Sequence, residues 1–126
     1  MIDLNKDNGF VKGRIKSLKF AIGGAFKLIT TEHSIMVQSS LAVMITIAGF
    51  YFQITKEEWL FQTLAVGLVL AIEGLNTAVE KIADFIHPDY HEKIGFIKDI
   101  AAGAVFFAAV TALLVGAIIY YPYIAQ

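Results

Sequence analysis

Two long stretches of this chain carry no formal charge. From His33 to Thr55 there are 23 residues without Asp, Glu, Lys or Arg, and from Ile100 to Gln126 there are 27. A soluble fold of 126 residues buries too small a share of its surface to hide both. Hydrophobic residues make up 57% of the chain and charged residues 17%, against a soluble-domain norm of roughly 45–50% and about 25%. The pattern predicts a small integral membrane protein with room for one compact unit. It excludes an ordinary soluble enzyme. The net charge of −1 excludes a nucleic-acid partner, which would need a strongly basic domain. There is no cysteine, so disulfide frameworks, zinc–thiolate sites and thiol nucleophiles are excluded as well.

The basic residues collect early. Lys6, Lys12, Arg14, Lys16, Lys19 and Lys27 are six of the ten. No uninterrupted apolar core follows them, so they do not read as a secretory signal. Over residues 10–30, Val11, Ile15, Leu18, Ile22, Phe26 and Ile29 recur at three- and four-residue steps, with lysines on the flank. That spacing predicts an amphipathic helix in the membrane interface, lysines toward anionic head groups. A soluble helix facing a core is the alternative.

Three membrane helices are predicted beyond the arm, over 34–54, 59–86 and 98–121, each near or above the ~20 residues a bilayer core requires. Thr55-Lys56-Glu57-Glu58 separates the first two. Thr55 is placed to cap a new helix, Glu57 and Glu58 complement its dipole, and Trp59 sits where an interfacial aromatic belongs. The polar run from His87 to Glu92, with Pro88, makes the next turn. The first loop holds only Lys56, whereas the second connection holds Lys81, Lys93 and Lys98. Positive-inside bias therefore puts the arm and the second connection in the cytoplasm.

Chemistry concentrates at that end of the second span. Glu73, Asn76, Glu80 and Asp84 are spaced three, four and four, which places them within an arc of roughly 80° on one helix face. Glu73 lies fourteen residues past Trp59, or ~20 Å along the helix, still within the hydrocarbon. A carboxylate there costs several kcal/mol unless paired or metal-bound. A protonated glutamate bonding a neighbouring helix would be a purely structural explanation, but three acids and an amide on one face favour function.

A second cluster follows at Asp89, Tyr90, His91 and Glu92. An ordinary solvated loop is the stronger explanation for it, whereas Lys98-Asp99 abuts apolar Ile100 and must sit at the membrane boundary. Ala104, Ala108, Ala112 and Gly116 recur every four residues, a spacing that lets membrane helices approach closely. Carboxylates with a lysine suit magnesium and phosphate oxygens, and phosphoryl transfer relies on positioning and charge neutralisation. No G-x-x-x-x-G-K-[ST] loop and no protein-kinase glycine loop is present. The residues by themselves leave open a metal–nucleotide site of unfamiliar type, a proton-coupled transporter built on Glu73, and a structural subunit.

One further pattern narrows this. Glu73-Gly-Leu-Asn76-Thr-Ala-Val-Glu80, then Asp84, His91 and Lys98-Asp-Ile-Ala-Ala-Gly-Ala-Val105, resembles the signature of the prokaryotic diacylglycerol kinase family. The similarity extends from about Phe10 to Tyr120. It implies an all-α membrane-embedded lipid kinase domain over 1–126, in the bacterial cytoplasmic (inner) membrane. It also implies Mg2+ with ATP as co-substrate, and a homotrimer with active sites shared between protomers.

By the same resemblance Glu73 corresponds to the catalytic base and Asn76 to an active-site amide. Glu32 and Glu80 correspond to metal and ATP ligands. Asp89, Tyr90 and His91 fall in a nucleotide-contacting loop, Lys98 and Asp99 form another nucleotide-contacting pair, and Arg14 stands for an arm arginine on ATP. The acceptor is a lipid alcohol, either diacylglycerol, giving phosphatidic acid, or undecaprenol, giving undecaprenyl phosphate. Val37 and Gln38 replace polar residues of the enterobacterial type, and Trp59 after two glutamates leans toward the undecaprenol branch.

Overall fold

The computed structural model describes residues 9–126. Lys6, part of the basic arm, lies outside the described residues. Among the described residues four helices follow one another: α1 (Phe10–Thr31), α2 (His33–Phe52), α3 (Lys56–Ile86) and α4 (Glu92–Ile124). The last three are long and apolar enough to cross a membrane. Neighbours in sequence pack against each other, and α3 with α4 makes the most extensive pairing.

Gly9 opens α1 at a φ of 149°, a conformation that only glycine adopts without strain. Val11, Leu18, Ile22 and Phe26 are all exposed. One residue then separates α1 from α2. Glu32, at φ −105° and ψ 117°, is extended, so the chain turns a corner there and hands its carboxylate to the space beside α3.

The helix ends differ from those expected. The first span stops at Phe52, not 54, because Gln53 takes the left-handed conformation that closes a helix. Ile54 then folds back into a small core with Ile119 and Tyr120. The second starts at Lys56, three residues early: Glu58 N–H donates to Thr55 Oγ1 (3.2 Å) and Thr55 N–H to Glu58 Oε1 (2.9 Å), a reciprocal capping box. The last helix runs from Glu92 to Ile124 rather than 98–121. His91 caps it by accepting from Lys93 N–H at 3.1 Å, and Pro122 falls in the final turn. Hydropathy marks where the bilayer ends, whereas backbone hydrogen bonding continues until a cap stops it.

A single stripe of α3 faces inward: Gln62, Ala65, Val69, Glu73 and Thr77 are all buried. Near the α2–α3 turn, Gln62 Nε2 donates to the Ile45 carbonyl (3.2 Å), and the Tyr120 hydroxyl, 3.1 Å from the same carbonyl, donates to Gln62 Oε1 (2.5 Å). Three helices are thereby joined at one polar knot. Alongside it an apolar groove of about 890 Å3 runs between α2, α3 and α4, from Gln38 to Ile124. Its α3 wall ends at Val69 and Leu70, about one turn before Glu73.

Candidate active site

Glu73 is 8% exposed, on the inward stripe of α3. Its neighbour Gly74 makes room for α1: a β-carbon there would stand 3.1 Å from Leu28 Cδ1. The close approach brings the end of α1, and with it Glu32, against α3. Lys81 Nζ lies 3.3 Å from Glu32 Oε1. One turn nearer Glu73, Asn76 Nδ2 donates to Glu80 Oε1 at 3.2 Å. That leaves Asn76 Oδ1 buried with no hydrogen-bond partner, an oxygen acceptor one turn from both Glu73 and Glu80.

The four polar residues expected on one face therefore separate by depth. Glu73 is buried and Asn76 half-buried, whereas Glu80 and Asp84 are exposed. Asp84 is occupied by α4: Lys98 Nζ donates to its Oδ1 at 2.6 Å. Lys98 thus bridges α3 and α4 here. Asp99 follows it, exposed.

Asp89, Tyr90 and His91 occupy the α3–α4 turn and are exposed. His87 Nδ1 lies 2.7 Å from the Asp89 carbonyl oxygen, and the rings of His87 and His91 stand 5.2 Å apart. The turn is therefore held from within, with its acidic and aromatic side chains left outward. Arg14 is far from Glu32 along the chain: eighteen residues of helix amount to ~27 Å. Its guanidinium stacks over Phe10 at 5.1 Å.

Among the described residues no three Asp, Glu or His side chains gather as a metal cage. Magnesium does not require one, since it uses one or two carboxylates and completes its shell with phosphate oxygens and water. The donors present fit that chemistry: Glu32, Glu80 and the unpartnered Asn76 Oδ1 all offer oxygen atoms. Two residues here are not marked as site candidates by the sequence: Lys81, which by itself signals only membrane orientation, and Gln62, although its eleven-residue offset from Glu73 (three turns) places both on one face.

Residues 19–120 match the prokaryotic diacylglycerol kinase family. The chain belongs to that family. Among its relatives, the undecaprenol kinase of Bacillus subtilis is 33% identical over 107 residues, covering 85% of this chain and 87% of its own length. The diacylglycerol kinase of Haemophilus influenzae is 31% identical over 108 residues, covering 85% and 92%. That of Escherichia coli K12 is 40% identical over 50 residues, 40% of this chain and 41% of its own. Membership in a family of prokaryotic diacylglycerol kinases decides against a transporter or structural subunit: the chain is a lipid kinase of the membrane, acting by nucleotide-dependent phosphoryl transfer.

Proposed function

We propose that the chain transfers the γ-phosphate of Mg-ATP to the hydroxyl of a membrane lipid on the cytoplasmic side of the bacterial inner membrane. The observation that carries this is the placement of Glu73. It is a buried carboxylate about one turn past the end of an apolar groove, on the same α3 face, while Glu32, Glu80, Lys81 and Lys98 collect toward the polar end. A lipid hydroxyl and a nucleotide can thus meet from opposite sides. α1 would lie along the interface, its exposed apolar residues in the lipid and its lysines against head groups.

Glu73 takes the proton as the hydroxyl oxygen attacks the γ-phosphorus. The bond to the β-phosphate oxygen breaks, ADP leaves, and the proton passes from Glu73 to solvent. Glu32 and Glu80 would hold magnesium, which neutralises phosphate charge during transfer. Asn76 fixes Glu80 and offers its free Oδ1 to the site. Asp89, Tyr90, His91, Lys98, Asp99 and Arg14 supply nucleotide contacts. A homotrimer would bring residues of neighbouring copies to each site.

Diacylglycerol, giving phosphatidic acid, is the proposed acceptor. Undecaprenol is the second reading, supported by the 33% identity to the Bacillus undecaprenol kinase, against 31% to the Haemophilus diacylglycerol kinase over the same 85% of the chain. Purified protein given labelled ATP and each lipid separately separates the two. Label in phosphatidic acid alone supports the first reading, label in undecaprenyl phosphate alone the second, and label in neither removes the proposal.

A further inference from the structure

The two carboxylates assigned to the metal are not held alike. Glu80 accepts from the neutral amide of Asn76, whereas Glu32 faces a full positive charge, Lys81 Nζ at 3.3 Å. The lysine side chain is 70% exposed and the Glu32 side chain 25%, so the ammonium reaches in from solvent toward a carboxylate that is largely shielded. An exposed pair of this kind adds little to stability. Its consequence is local: Glu32 already has a cation.

A divalent ion arriving at Glu32 meets that ammonium at close range, and two cations on one carboxylate repel. The lysine stem is flexible, and its head carries three donors that can reorient. With Nζ already 3.3 Å from Glu32, a displaced Lys81 ammonium needs only a rotation of its stem to stay within reach of a ligand held at that carboxylate. Phosphate oxygens are the ligands that complete a magnesium shell in such sites.

We propose that Lys81 is a nucleotide-contacting residue that serves first as a resident cation. It neutralises Glu32 in the nucleotide-free protein and moves to an ATP phosphate oxygen when magnesium takes its place. This rests on the reading of Glu32 as a metal ligand.

The test uses the purified full-length chain in bilayer discs, with Lys81→Met, Lys81→Arg and Glu32→Gln beside the wild type. Two affinities are measured: Mn2+ without nucleotide, by the paramagnetic signal of the free ion, and Mg-ATP, by calorimetry. Lys81→Met should bind Mn2+ several-fold more tightly, because the competing ammonium is gone. It should bind Mg-ATP about tenfold more weakly, the loss of one charge-assisted hydrogen bond. Adenosine binding should not change, and Lys81→Arg should recover most of the Mg-ATP affinity. If both affinities of Lys81→Met weaken together with its melting temperature, Lys81 only ties the corner to α3. If neither moves, the pair is an inert surface contact, and either result overturns the proposal. Glu32→Gln separates the two levels of inference: unchanged Mn2+ affinity there means that the metal assignment itself has failed.

Discussion

Leu28 of α1 packs closely against Gly74 of α3. The leucine Cδ1 comes so near the glycine that a β-carbon would stand 3.1 Å away, tighter than ordinary contact. The leucine lies four residues before Glu32 and the glycine one after Glu73, so the spacing of α1 from α3 sets the distance between the proposed base and the corner at Glu32. Gly74→Ala should therefore separate stability from activity. Alanine is the better helix former by about 1 kcal/mol, so unfolding should be no easier. Phosphorylation should fall, by up to ~10²-fold if the corner shifts by as much as 1 Å. The double variant Gly74→Ala/Leu28→Ala restores the space and should recover part of the rate. A fully active Gly74→Ala protein would show that the corner's position does not matter.

Orientation can be checked independently of chemistry. Lys56 lies in the first turn of α3, and Lys93 at the start of α4, at opposite ends of the bundle. Basic residues concentrate on the cytoplasmic side. In intact cells an impermeant thiol reagent should thus label Lys56→Cys and spare Lys93→Cys. The reverse pattern would put the acidic end outside, away from ATP.

Glu73 is the proposed base, and its replacement has a distinct signature. Glu73→Gln keeps size and polarity but cannot take the proton, so kcat should fall by roughly the 10²–10⁴ that a general base contributes. Mg-ATP affinity should hold, because the glutamates assigned to the metal are elsewhere. Glu73→Asp withdraws the carboxylate by about 1 Å and should lose ~10²-fold. Near-normal turnover in a folded Glu73→Gln protein would remove the assignment.

The parts of this molecule that follow local rules could be read from sequence. The Thr55 cap needs only Glu58 three residues on, and the three spans announce themselves by their missing charges. The ends at Phe52, Glu92 and Ile124 could not be read from hydropathy, since helix continues outside the bilayer wherever no cap intervenes. The site was legible as residue types on one face. It was not legible as pairs, because Glu32 and Lys81 are 49 positions apart and meet only through the turn at Glu32 and the packing of α1 on Gly74. Gln62 shows the same limit: its face was readable, its partners on α2 and α4 were not.

That glutamine carries the last prediction. Gln62 is 5% exposed and Tyr120 is 7%, and together with the Ile45 carbonyl they join α2, α3 and α4. Tyr120→Phe leaves Gln62 Oε1 buried without its donor. Gln62→Leu leaves the hydroxyl of Tyr120 only the Ile45 carbonyl, 3.1 Å away. Each should cost about 1–2 kcal/mol, the worth of a side-chain hydrogen bond between membrane helices and near the low end for a stranded buried group. The double variant should cost less than the sum, since removing both partners strands nothing. Gln62 stands eleven residues from Glu73, ~16 Å along α3, so turnover at a permissive temperature should stay close to wild type. Detergent-induced unfolding of the four proteins measures the coupling. Strictly additive losses would mean that the knot is two separate contacts, and a loss of turnover without a loss of stability would tie it to the active site.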